Sequence, residues 1–131
     1  MATFVLDASV AVSWCFPGDP TENTPYSRRV LSELIANDAI VPEIWAFEIA
    51  NCIFVSYSKR RRISEQQIAE YLSLLKALPI HVDLESLARR RNLASYDAAY
   101  LDLALRTGFG LATSDEPLQQ AAIAEGITVL T

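Results

Sequence analysis

Histidine is nearly absent from this chain and cysteine is scarce: His81 is the one histidine among 131 residues, and Cys15 and Cys52 are the two cysteines. Two cysteines make neither a zinc-ligand spacing nor a disulfide framework. Both are set in apolar stretches, so they read as reduced core residues of a cytosolic protein. His81 falls in an apolar run and reads as a core or edge residue rather than a base. With no second histidine, no zinc motif and no Cys–His pair, nucleophilic catalysis by the chain itself has little to work with. No stretch is long and apolar enough to cross a membrane. The opening MATFVLDASVAVSWCF lacks the basic start of a secretory signal, and Asp7 interrupts its apolar run. The expectation is a soluble, cytoplasmic protein.

Basic charge is also short. Eleven Lys and Arg stand against sixteen Asp and Glu, a net charge of −5, and by sum alone this argues against a nucleic-acid partner. The distribution matters more. Lys59-Arg60-Arg61-Arg62 and Arg89-Arg90-Arg91 together hold seven of the eleven basic residues. Such runs are equally the solvated ends of helices. A divalent cation held by some of the acids would reverse their local effect.

What is present is apolar. About half of the residues are hydrophobic, enough for the core of one domain spanning 1–131. No repeat, low-complexity tract or linker interrupts it. Short apolar runs at Thr3–Leu6, Ala39–Val41, Ile80–Val82, Leu111–Thr113 and Ile127–Leu130 predict five strands. Helical spacing is expected from Ala8, over Tyr26–Asn37 with Val30, Leu31, Leu34 and Ile35 on one side, over Ile44–Tyr57, and from the Ser64–Gln67 capping box to Ala77. Further helices are expected over Leu84–Asn92, from the Ser95 cap through Tyr96–Arg106 to Gly108, and over Glu116–Glu125 to Gly126. Strands this short, alternating with helices and apolar throughout, predict a three-layer α/β/α sandwich around a parallel five-stranded sheet.

That topology places acids. Asp7 directly follows the first strand and Asp115 lies two residues past the fourth, so both fall at the carboxyl edge of the sheet, where open α/β sheets bind ligands. Asp97 sits in the first turn of its helix. Glu48 and Asn51 share a helix face. Taken one at a time, capping and the helix dipole are the better explanation of Asp97 and Asp115, and an equal one for Asp7. Glu48 is mid-helix among Ile44, Phe47, Ile49 and Ile53, where capping has no role and an unpartnered carboxylate is costly. Gathered carboxylates repel and take up protons unless a cation intervenes. Oxygen-only ligands suit magnesium or manganese rather than zinc, and metal-activated water is the chemistry such a site supplies. Trp14, Phe16, Trp45 and Phe47 are expected in the core rather than at an interface.

Four segments in order, Val5-Leu6-Asp7-Ala8-Ser9, Glu48-Ile49-Ala50-Asn51, Tyr96-Asp97-Ala98-Ala99-Tyr100-Leu101-Asp102 and Leu111-Ala112-Thr113-Ser114-Asp115, make the whole chain resemble PIN-domain ribonucleases, and among them the VapC-like toxins of toxin–antitoxin pairs. The resemblance implies that Asp7, Glu48, Asp97 and Asp115 form the catalytic, metal-binding quartet. It implies supporting roles for Ser9, Asn51 and Thr113, and a supporting or structural role for Asp102 where relatives often carry Glu. It further implies a Mg2+- or Mn2+-dependent endoribonuclease, an RNA substrate held in part by Lys59, Arg60, Arg61 and Arg62, a homodimer, and a cognate antitoxin as partner. A phosphoacceptor domain would need a lysine near the last strand, but the final lysine is Lys76. An aspartyl phosphatase would need a second Asp where Ser9 stands. The competing expectation is a catalytically inactive PIN-like module that acts through protein partners.

Overall fold

Phe4, Val5 and Leu6 form strand β1 (Phe4–Leu6), and all three are fully buried. Successive strand side chains point to opposite faces, so both faces of β1 are covered, as a layered α/β/α arrangement requires. The computed structural model of the protein describes residues 3–83 and 96–131, with side chains from residue 98 onward in the second stretch. The helix expected over 84–92, the cap expected at Ser95 and the basic run Arg89–Arg91 lie outside the described residues.

β1 is followed by α1 (Ala8–Ser13), α2 (Pro25–Glu33), β2 (Ala39–Val41), α3 (Ile44–Phe54), a π-helical turn (Val55–Lys59), α4 (Glu65–Ala77), β3 (Ile80–Val82), α5 (Tyr96–Thr107), β4 (Gly110–Ala112) and α6 (Glu116–Ala124). The four strands form one parallel sheet in the order β3-β2-β1-β4. Local signals in the sequence carry through. Ser64 and Gln67 close a capping box at the start of α4, and Gly108 (φ 73°) and Gly126 (φ 78°) take the left-handed conformation just past α5 and α6. Among the described residues no helix is long and apolar enough to cross a membrane.

Three expectations change. Ile127–Leu130 is not a fifth strand: it meets β4 through a single parallel bridge, Leu111 to Val129. The Leu111 N–H donates to the Thr128 carbonyl at 2.8 Å, and the Leu130 N–H donates to the Leu111 carbonyl at 2.9 Å. In a three-residue strand already paired with β1 on one side, only the middle residue turns both backbone groups to the other. Gly110 permits the approach, because a Cβ there would stand 3.0 Å from Leu130 and 3.1 Å from the Thr128 carbonyl. α2 ends at Glu33, which leaves Ile35 outside the helix and 88 % exposed, whereas Val30 and Leu34 are buried. Phe47 is 60 % exposed, whereas Trp14, Phe16 and Trp45 are buried as expected.

His81 lies exposed on edge strand β3, with Nε2 3.2 Å from Asp38. Both cysteines are free, and burial pushes the Cys15 thiol up to about 11. Asp102 holds the Arg106 guanidinium one turn along α5 at 2.7 Å, and Asp83, just past β3, holds the same guanidinium at 2.8 Å. All three are largely buried, so Asp102 is part of a clamp between α5 and the end of β3. Removing one member of a buried ion network strands the others. Arg106→Met is therefore expected to cost about 3 kcal/mol of stability, measured as a lower urea midpoint with an unchanged slope.

Candidate active site

The carboxyl ends of β1 and β4 lie side by side, because Leu6 is in register with Ala112 and the Asp7 N–H donates to the Ala112 carbonyl at 2.8 Å. The next residues on each strand are Asp7 on one and Thr113 on the other. Asp7 and Asp115 occupy the N-cap positions of α1 and α6, yet neither side chain makes a capping hydrogen bond. Capping, which accounts for both acids in the sequence, is not what their side chains do.

The Asp7 carboxylate is only 5 % exposed. Its Oδ2 accepts hydrogen bonds from Ser9 Oγ at 2.7 Å and from Thr113 Oγ1 at 2.5 Å. Each hydroxyl has one proton, so both protons point to Asp7. The hydroxyl oxygens then accept in turn: Ser9 Oγ takes the Ser114 N–H at 2.9 Å, and Thr113 Oγ1 takes the Asp115 N–H at 3.0 Å. Gln119 donates to the Thr113 carbonyl at 2.8 Å. Two small hydroxyl residues thus bind the turn carrying Asp115 to the turn carrying Asp7. Burial pushes the Asp7 carboxyl above its ordinary value and the charge of Asp115 adds to this, opposed by the hydroxyl bonds from Ser9 and Thr113.

α3 supplies the facing wall. One side of this helix buries Trp45 and Ile49, and another turns Phe47, Glu48, Asn51 and Cys52 to a cleft of about 670 Å³ shared with Asp7, Ser9 and Asp115. Among the described residues lining it, three are carboxylates and none is basic. Glu48 is anchored by Tyr100, whose hydroxyl donates to Oε1 at 2.6 Å. Tyr100 is fully buried in α5, and burial, with the charge of Glu48, pushes its phenol far up, so it remains a proton donor. Nothing in the sequence pattern singles out Tyr100 from a core aromatic.

The fold therefore brings together Asp7, Ser9, Glu48, Asn51, Thr113 and Asp115. Asp97 is in the first turn of α5, which packs on β1 and β4, and its side chain lies outside the described residues. Lys59–Arg62 continues the chain beyond α3. Burial pushes the Cys52 thiol at the cleft wall above its ordinary value, and the charges of Arg62 and Arg60 oppose this; Arg61 adopts φ 54°. Arg62 is engaged elsewhere: it pairs with Asp19 at 3.0 Å and stacks 4.2 Å over the Phe16 ring.

No group of three or more His, Cys, Asp or Glu close enough to hold an ion occurs among the described residues, which leave out the Asp97 side chain. The donors that do share the cleft fit a hard divalent ion. Asp7, Glu48, Asp115 and Asn51 offer oxygen ligands, and the buried Asp7 charge is disfavoured as it stands.

A folded-state carboxyl value raised above the unfolded one means that the native protein binds the proton more tightly. The contribution of Asp7 to stability is therefore present at low pH and lost as pH rises through the raised value. Asp7→Asn removes this cost while still accepting from Ser9 and Thr113. In EDTA at pH 7 it is expected to raise stability by about 1 kcal/mol, read from urea denaturation, and the gain should vanish at pH 3. A variant less stable than the parent at pH 7 would show that the hydroxyl pair needs the negative charge.

No curated protein shows significant similarity to the chain. The PIN domain profile matches residues 4–124. With that match running from the first residue of β1 to the last of α6, the chain belongs to the PIN domain family.

Proposed function

We propose that the chain is a divalent-metal-dependent endoribonuclease and the toxin of a toxin–antitoxin pair. PIN domains are in general metal-dependent nucleases acting on RNA. The observation that carries the reading here is the cleft itself, where Asp7, Glu48 and Asp115, from three separate stretches of chain, line one cavity without a basic neighbour among the described residues. Asp7, Glu48, Asp97 and Asp115 would hold Mg2+ or Mn2+. When bound, the ion supplies activated water and charge neutralisation at the phosphate.

The chain's own residues position and bind. Ser9 and Thr113 fix the Asp7 carboxylate, and Asn51 adds a neutral oxygen or a donor at the cleft wall. The exposed Phe47 ring offers a stacking face for a nucleobase beside Glu48. Lys59, Arg60 and Arg61 offer charge to the phosphate backbone at the far end of the same helical rod, and Arg62 shares its charge with Asp19. In-line hydrolysis by water leaves a 5′-phosphate and a 3′-hydroxyl and uses no ribose hydroxyl. A second copy of the chain and a cognate antitoxin are the protein partners this reading implies. The apolar groove between α3 and α4, lined by Ala46, Ala50, Phe54, Tyr57 and Leu72, is surface of the kind that protein partners cover.

Purified protein is expected to cut RNA with Mg2+ or Mn2+ and to stop in EDTA. Asp7→Asn and Asp97→Asn should each lower the rate by more than about 100-fold, with end-labelled products bearing 5′-phosphates. Variants that cut as fast as the parent would remove the site assignment, and a parent inert on every RNA pool would favour the non-catalytic binding module. Induction in a bacterial host should arrest growth, and growth unaffected by an active nuclease would remove the toxin role.

A further inference from the structure

Tyr100 has a chemistry that packing does not require. It sits in the core with Leu6, Leu103 and Ala104, fully buried, and a phenylalanine would fill the same space. A buried hydroxyl is costly unless both its proton and its lone pairs find partners. Here the proton goes to Glu48 Oε1 at 2.6 Å, a charge-assisted bond. The oxygen receives the Ala8 N–H at 3.3 Å. Ala8 is the residue after Asp7. On α5 Tyr100 lies three residues past Asp97, one helical turn away. A single hydroxyl therefore touches the start of α1 and the acid of α3, and it stands on the helix that bears Asp97.

We propose that Tyr100 is a positioning residue for the acidic site: its hydroxyl orients the Glu48 carboxylate against the turn that carries Asp7, so that the two acids from α3 and β1 are held ready for one cation. This rests on the metal-dependent reading above and adds a residue to it. α3 packs against α1, the helix that follows Asp7, and a hydrogen-bonded link adds direction to that packing. The Ala8 N–H, Tyr100 hydroxyl and Glu48 carboxylate form that link. Partners of this kind, which hold a metal ligand without touching the metal, are commonly worth 10–100-fold in metal affinity.

Tyr100→Phe removes the link and keeps the ring. Mn2+ binding followed by titration calorimetry on the intact protein is expected to weaken by about 10–100-fold in this variant. Activity measured against Mn2+ concentration should recover toward the parental rate as the metal is raised. In a Glu48→Ala background the Tyr100→Phe change should have no further effect on Mn2+ affinity, because the hydroxyl then has no carboxylate to orient. Unchanged Mn2+ affinity in Tyr100→Phe overturns the proposal, as does an equal loss with and without Glu48, which would mark a purely structural role. A parent that itself binds no Mn2+ would instead remove the metal-dependent reading, a separate outcome. Should Tyr100→Phe fail to fold, the wild-type protein still decides: Mg2+ titration should shift the Tyr100 ring resonances, and the shift should disappear in Glu48→Ala. Mg2+ binding with the ring resonances unmoved overturns the inference.

Discussion

Among the described residues one carboxylate is allowed into the core, and most of the site is arranged around it. Asp7 is the only Asp or Glu buried among the described residues. It lies just past inner strand β1, where its backbone N–H is bonded to the Ala112 carbonyl of β4. Desolvation works against its charge, and two hydroxyls on one of its oxygens are the compensation the chain provides. Because those hydroxyls come from α1 and from the turn after β4, stabilising Asp7 also sets where Asp115 stands. The polar network and the strand register are thus two descriptions of one constraint.

Part of this is legible in the residues alone. Ser64 with Gln67, Gly108 and Gly126 mark helix ends because each satisfies a local requirement that neighbours in sequence supply. Asp7 and Asp115 can be placed together because parallel strands put their carboxyl ends on one edge; Glu48 and Asn51 share a helix face, and Ser9 and Thr113 enter only through the resemblance to PIN-domain ribonucleases. Ile127–Leu130 is not legible in the same way. Its apolar, β-branched composition is that of a strand, but pairing depends on what the partner offers, and three-residue β4 offers one residue. Phe47 fails for a related reason: in α3 nearly every residue is apolar, so periodicity does not separate the core side from the cleft side. Tyr100 is hidden because the pattern of apolar positions is the same for a tyrosine as for a phenylalanine, and only tertiary contact shows what the extra oxygen touches.

Charge is placed as specifically as the core. The chain is acidic overall, but many of its acids have specific places. Asp83 and Asp102 hold Arg106, Asp19 holds Arg62, and Asp38 faces His81. Asp7, Glu48 and Asp115 line the cleft. Arg62 shows the complementary point: membership of a basic run does not make a side chain available to a ligand, since this one is already stacked on Phe16 and paired with Asp19.

The outline of α3 sets it apart from an ordinary surface helix, which keeps one idle, watery stripe on which substitutions drift freely. In α3, Trp45 and Ile49 face the interior, Phe47, Glu48, Asn51 and Cys52 face the cleft, and Ala46, Ala50, Ile53 and Phe54 border the groove toward α4. The exposed positions of the helix, Ala46, Phe47, Ala50, Asn51 and Phe54, all line the cleft or this groove. Tolerance to random exchange should therefore be lower along these eleven residues than along α4, whose buried contribution is Tyr71, and a library that varies both helices would register α3 as a ridge of intolerance.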